Sequence, residues 1–304
     1  MDGLHNVIKK LKDGIMKNVI LLVIMCVALP ALLPAQELTP KWEELTASDW
    51  DEAVAESDST CILPLGILEK HGLQAPMGSD LIVARSLALE AAKKEYAVVF
   101  PEFYFGQIYE AKHLGGTFSL PSELVWDILK ETVEEIARNG FKKIVLVNGH
   151  GGNNYLLPYF VQSQLEEEKD YVTYLYSTEP DSEHTEKVNQ LRKSDPSEDM
   201  HGGEGETSLL LHLRPDLVKL EEAPKESGED QARLDLMESL YTGIWWYARF
   251  PNHYAGKAEV ASAELGKVMF DYRVDSLVEA LKNVKNDKTT PVVQQEYFDH
   301  VREK

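Results

Sequence analysis

The run Ile144-Val145-Leu146-Val147 carries no polar residue, and Asn148-Gly149-His150-Gly151-Gly152-Asn153-Asn154 follows it at once. An unbroken apolar run of that length suits a strand covered on both faces, as in a parallel sheet packed between helices. The flanking segments agree. Residues 122–138 put Leu124, Val125, Ile128, Leu129, Val133 and Ile136 on one helical face, and Asn139-Gly140 closes the helix. Residues 61–66 and 97–101 predict strands, 81–95 a helix, 158–168 a helix and 171–176 a fourth strand. This β-α-β-α rhythm predicts an α/β fold with a mostly parallel sheet. Residues 178–200 are polar and charged and read as a surface loop or flap. A helix is expected from about Glu206, and a long one, from about Glu259 to Val284, to close the domain. No linker divides residues 36–304, which are expected to form one catalytic domain.

Residues 1–35 read as a signal peptide that is cleaved. Lys9, Lys10, Lys12 and Lys17 precede an apolar run from Val19 to Leu33, and Leu33-Pro34-Ala35 offers an imperfect cleavage site. The run is about 15 residues, shorter than the roughly 20 a spanning helix needs. Met16 offers a second start, with Met16-Lys17-Asn18 as a compact basic region. An exported, periplasmic or extracellular protein is expected, with no stable membrane association after cleavage. The whole chain has a formal net charge of −20, and losing the four Lys and two Asp of residues 1–35 leaves −22. Such acidity disfavours nucleic acid and anionic membranes as partners but does not bear on a small neutral substrate. Cys61 alone would remain after cleavage, so no internal disulfide is expected.

Three clusters carry chemistry, and the ends of parallel strands are where an α/β protein places such groups. The first is Glu69-Lys70-His71-Gly72 with Pro76-Met77-Gly78-Ser79-Asp80. In an extended segment Glu69 and His71 point to one side, and Asp80 stands at the mouth of the next helix. Two carboxylates and an imidazole suit Zn²⁺ or Mn²⁺, although a solvated loop with an N-capping Asp has the same composition. The second is the glycine-flanked His150. It lacks the Lys of a P-loop and the G-x-G-x-x-G of a dinucleotide site. The third is His201-Gly202-Gly203-Glu204-Gly205-Glu206. Here His201 is a candidate acid/base and Glu204 or Glu206 a candidate ligand, while a helix start rich in acidic residues would account for the glutamates alone. His113 is a candidate to line a pocket, His253 is a candidate to touch substrate, and His212 reads as structural. No G-x-S-x-G elbow supports serine catalysis.

Together these motifs resemble the creatininase family of amidohydrolases. The resemblance rests on Pro64-Leu65-Gly66, Glu69 to Gly72, Pro76 to Asp80, Gly116-Thr117, Asn148 to Asn153 and His201-Gly202-Gly203-x-x-Glu206-Thr207-Ser208, and spans roughly residues 40–285. It implies a three-layer α/β/α fold with a paired metal site. Glu69 and His71 would bind different metals, Asp80 would bridge them, and His150 would complete the first. The expected cofactor is zinc or manganese, with iron a further candidate, at one to two ions per chain. The expected reaction is hydrolysis of a C–N amide bond, cyclic or formyl, in a small molecule by a metal-activated water, with His201 and Glu204 as catalytic groups. The family commonly assembles as hexamers, so a homo-oligomer is expected. Two departures stand out. Creatinine-cleaving members carry a Glu where Gly152 stands, leaving Glu206 as a candidate ligand of the second metal. They also cover substrate with tryptophans ahead of the third motif, whereas no Trp occurs from 155 to 200 here. Two other functions keep the same ligands: an exported small-molecule-binding protein with a degenerate metal site, and a metal-dependent sugar isomerase or lyase.

Overall fold

The strands of this protein, seen in a computed structural model that describes residues 2–7, 9–12, 38–237 and 239–304, are β1 (Thr60–Leu65), β2 (Val98–Val99), β3 (Lys143–Asn148) and β4 (Val172–Tyr176). All pair in parallel, in the order β2-β1-β3-β4. The chain divides into two units, Met1–Leu38 and Thr39–Lys304, and the sheet belongs to the second. In the first unit, residues 2–7 and 9–12 are helical and exposed. The apolar run and cleavage site expected there lie outside the described residues. Among the described residues no helix is long and apolar enough to cross a membrane.

Nine helices surround the sheet: α1 (Trp50–Glu56), α2 (Ser79–Lys94), α3 (Ser122–Arg138), α4 (Leu156–Ser163), α5 (Ser182–Leu191), α6 (Glu204–Leu213), α7 (Trp245–Arg249), α8 (Ala263–Asn286) and α9 (Thr289–Arg302), counted among the described residues. On one face, Ile62, Val99, Val145 and Val147 pack against Leu87, Ala88 and Ala91 of α2 and against Phe270, Val274, Leu277 and Leu281 of α8. On the other, α3 buries Val125, Leu129, Val133 and Ile136 against β3, and α4 packs on β4. Every residue of β1 is buried, as are the first five of β3, which is why neither strand alternates. A fully buried aliphatic side chain stabilises the fold by roughly 1.5–3 kcal/mol, so these two strands end in firmly anchored loops.

Their register places the site. Leu65 pairs with Asn148, so the loops after β1 and β3 leave the sheet side by side. The chain then turns outward in opposite directions, from β1 through α2 to β2 and from β3 through α4 to β4. A crevice must open between the carboxyl ends of β1 and β3 at such a reversal of strand order. The first turn of α2 sits in it. A Cβ on Gly66 would lie 2.7 Å from the Leu81 nitrogen, and one on Gly149 would lie 2.7 Å from the Asp80 carbonyl oxygen. Glycine at both strand ends is what admits Asp80 to the crevice.

Three elements depart from the sequence reading. Residues 178–200 contain α5, held at its start by Asp181, whose carboxylate accepts from the His184 N–H at 2.7 Å. Few apolar residues mark its inner face, so periodicity hides it. Helix α9 follows α8, which therefore does not close the domain. Helix α1 precedes β1 where no element was expected.

Candidate metal centre

Glu69 and His71 follow β1, Asp80 opens α2, His150 follows β3, and His201 precedes α6, which carries Glu206. The structure gathers all six. The Glu69 Oε1 atom lies 2.8 Å from His150 Nδ1, 3.3 Å from His201 Nε2 and 3.8 Å from His71 Nε2. Asp80 presents one oxygen to each of two histidines, Oδ1 at 3.0 Å from His71 Nε2 and Oδ2 at 3.1 Å from His150 Nδ1. Glu206 Oε2 stands 3.8 Å from His71 Nε2.

Local hydrogen bonds explain why these side chains converge. The Asn148 amide donates to the His150 carbonyl at 2.7 Å and accepts from the His150 N–H at 3.2 Å, which shapes the turn after β3. The Gln74 amide donates to the carbonyls of His71 at 3.0 Å and Gly202 at 2.7 Å, tying the first motif to the third. His201 forms an antiparallel bridge with Ala255, which draws in the segment that carries His253.

The ring orientations are equally determined. His150 Nε2 donates to the Gln107 carbonyl at 2.7 Å, leaving Nδ1 with a free lone pair toward Glu69 and Asp80. His71 Nδ1 faces the Glu69 carbonyl at 3.4 Å and His201 Nδ1 the His253 carbonyl at 3.0 Å, so each turns Nε2 into the cluster. Four atoms aimed at one another, Glu69 Oε1, His71 Nε2, Asp80 Oδ2 and His201 Nε2, are buried and have no hydrogen-bond partner among the described residues. Buried polar atoms are rarely left so, and imidazole and carboxylate donors converging this way fit a divalent cation. Among the described residues three donor groups share the space: Glu69, Asp80 and His150; His71, His201 and Glu206; and Glu69, His201 and His253.

His253 has a different role from the substrate contact expected of it. Its Nδ1 lies 2.7 Å from the Trp246 indole nitrogen, and an indole N–H only donates, so that Nδ1 is an acceptor. The proton of neutral His253 is then on Nε2, which donates to Glu69 Oε2 at 2.5 Å. Trp246 and His253 thus hold the carboxylate with its other oxygen turned to the cluster, and His253 is no cation ligand in this tautomer. The link spans 184 positions, and only tertiary structure reveals it. It also shows that a tryptophan does reach the site, from α7 rather than from residues 155–200.

Without a cation the cluster balances itself with protons. Burial works against a charged His71, but Asp80 beside it, with Glu206 and Glu69, holds it up at about 10. Burial likewise opposes a charged His150, and Glu69 and Asp80 overcome it. Burial would raise Glu69, yet His150 and His201 keep it well below the usual carboxylate range. Burial lowers His253, and the neighbouring His201 and His71 add to this despite Glu69, in keeping with its neutral form. A cation entering here takes the place of protons on the imidazoles.

Glu204 is not part of the cluster. It is fully buried, and its carboxylate accepts from the backbone N–H groups of Lys193 and Ser194 and from the Ser194 hydroxyl, at 2.6–3.0 Å. Residues two apart on a helix point about 200° from each other, so only one of Glu204 and Glu206 can face the site, and it is Glu206. Gly152 also has a local cause. A Cβ there would lie 2.4 Å from His150 Nε2 and 2.5 Å from Gln107 Oε1, so Gln107 fills the space a longer side chain would need. His113 bonds the Pro251 carbonyl at an exposed position, and His212 packs beside Phe270.

The sheet, its switch point and this donor cluster define an α/β protein with a candidate divalent-metal centre at the ends of β1 and β3. Residues 43–281 match the family model for creatininase, creatinine amidohydrolase. The creatinine amidohydrolase of Pseudomonas putida is 30% identical over 190 residues, covering 59% of this chain and 73% of its own length. The 3-dehydro-scyllo-inosose hydrolase of Thermotoga maritima is 26% identical over 246 residues, covering 73% of this chain and 76% of its own. A solved creatininase of zinc–zinc type matches with a TM-score of 0.70 at 24% identity, over 82% of this chain and 100% of its own. The chain belongs to the creatininase family of amidohydrolases.

Proposed function

We propose that this chain hydrolyses a C–N amide bond of a small molecule, a cyclic amide or a formamide, with one to two divalent ions, zinc or manganese, held by Glu69, His71, Asp80, His150 and Glu206. The observation that carries this reading is the convergence of unpartnered buried donors, Asp80 facing a different histidine with each oxygen. Bound there, a divalent ion polarises a carbonyl and lowers the pKa of water. The chain's own residues do the rest. Glu69 is fixed by His253 and Trp246. His201 keeps its Nδ1 proton on the His253 carbonyl, so Nε2 is the atom that gains and gives up a proton, toward the leaving nitrogen. Its side chain is 12% exposed, against 1% for His71 and 4% each for His150 and His253, making it the most exposed histidine of the cluster. Glu206, grouped with His71 and His201, would supply a carboxylate to the second ion where Gly152 has none. A cavity of about 550 Å³ opens onto His71, Asp80, His150 and Glu206, large enough for a small molecule.

Incubation of metal-loaded protein with a panel of lactams, cyclic ureides and N-formyl amines tests this. Lactams and ureides should give ring-opened products heavier by one water, and N-formyl amines should give formate and the free amine. Products of unchanged mass would instead mark an isomerase, and binding without conversion a binding protein.

We further propose an exported homo-oligomer. The leader-like composition of residues 1–35 supports export, and the exposed Tyr155, Tyr159, Met237 and Tyr241 offer apolar surface for association. Protein recovered from its native host should begin near Gln36 by intact mass and exceed the monomer mass by light scattering. Retention of residues 19–33 or a monomer would contradict the respective half.

A further inference from the structure

Arginine occurs at eight positions in this chain, all of them described. Seven have a side-chain partner: Arg85 with Glu43, Arg138 with Glu135, Arg192 with Asp199, Arg214 with Asp216, Arg233 with the carbonyls of Tyr247 and Ala248, Arg249 with Asp230, and Arg302 with Glu168. The eighth, Arg273 on α8, has no side-chain hydrogen bond and no ion-pair partner within 4.0 Å among the described residues, and it lines the cavity that opens onto the metal cluster. It stands where a lone cation costs most. Its neighbours along the helix, Phe270, Val274 and Leu277, are core residues. Burial works against its charge, and Glu206 and Tyr176 offset this only in part. Glu206 is also the carboxylate nearest the second donor group, so it cannot neutralise Arg273 while it serves a bound cation. The backbone of Arg273 is fixed from β4, with the Tyr176 hydroxyl donating to its carbonyl at 3.3 Å. Around it the cavity wall offers neutral polar groups, Ser177, Thr178 and Asn154.

A partly buried guanidinium without a partner, facing a cavity in a chain of net charge −20, is suited to an anion that arrives with the ligand. Its planar fork matches a carboxylate or a phosphate. One positive charge beside Asp80 and Glu206 balances a singly charged group, whereas a phosphate dianion would need more cationic neighbours than this wall contains. We infer that the substrate is an amide bearing a carboxylate, which Arg273 grips while the amide lies at the metal cluster. This rests on the hydrolase reading of the same cavity and adds to it the charge and polarity of the substrate.

The test uses metal-loaded full-length protein and two sets of probes. One is N-formylglycine, its neutral amide N-formylglycinamide and the phosphonate N-formylaminomethylphosphonate. The other is 5-oxoproline and 5-oxoprolinamide. Dissociation constants are read from concentration-dependent thermal shifts, and product formation is followed separately by mass. At least one carboxylate should bind about 10–100-fold tighter than its neutral counterpart, the usual worth of a charge-assisted pair. Arg273→Gln should bring that ratio to about one with metal content unchanged, and Arg273→Lys should restore part of it. Equal binding of acids and amides, no binding by either acid, a preference for the phosphonate, or a preference that survives Arg273→Gln would each overturn the inference. Turnover without a carboxylate preference sinks this inference alone, and a carboxylate preference without turnover sinks the hydrolase reading alone.

Discussion

Asp80→Ala protein is expected to purify with almost none of the divalent metal that the wild type carries and to lose at least about 10³-fold in kcat/KM. The reason is positional. Asp80 turns one oxygen to His71 and the other to His150, at 3.0 and 3.1 Å, and these histidines belong to different donor groups, so its loss weakens both at once. Removing a single preorganised electrostatic group costs roughly 10²–10³ in many active sites, and loss of the metals that do most of the polarising should cost more. Removal also leaves His71 without the neighbour that does most to hold its proton, so some destabilisation should accompany it. Asp80→Asn separates the two effects. It keeps the shape that fits between Gly66 and Gly149, so it should melt near the wild type while still losing metal. Elemental analysis of the dialysed proteins decides the matter, and full occupancy in either variant would mean that Asp80 does not bridge.

Much of this architecture can be read from the chain, for identifiable reasons. β1 and β3 are buried on both faces and announce themselves as unbroken apolar runs, and α3 carries a complete apolar stripe over 122–138. Glu69, His71, Asp80 and His150 stand at or near strand ends, where topology alone directs attention. What escapes is what depends on distant partners. Helix α5 has only Val188 and Leu191 as large aliphatic residues, so it is specified by its Asp181 cap and its docking rather than by a pattern. The choice between Glu204 and Glu206 depends on the rotation of α6, which follows from its packing against α8. His253 enters the site because residues 201 and 255 pair, and nothing in Pro251-Asn252-His253-Tyr254 signals that. Its positive φ of 58° is a cue that only the folded backbone provides. Arg273 looks like an ordinary helix arginine until its seven counterparts are seen to be paired.

The largest contrast should come from two histidines that look alike in sequence, each beside glycines. His150→Ala is expected to lose metal and activity together. Its Nδ1 points between Glu69 and Asp80 and its Nε2 is committed to the Gln107 carbonyl, so neither ring nitrogen is left to act on substrate. His201→Ala is expected to keep metal close to the wild-type content and to lose about 10²–10⁴-fold in kcat, the usual worth of a positioned acid or base. KM should move far less, because a proton delivered to the leaving nitrogen matters mainly in the transition state. The two variants need to be assayed for metal and for rate on the same preparations, since either measurement alone would leave ligand and proton donor confused. The opposite result is physically coherent, because His201 Nε2 also lies within a donor group formed with His71 and Glu206. If His201→Ala gives up metal as readily as His150→Ala, His201 is a ligand and the proton must come from another group. Glu204 cannot supply it, since its carboxylate is buried and taken up by Lys193 and Ser194. Glu206, whose side chain is 42% exposed on the same cavity, would then be the group to test.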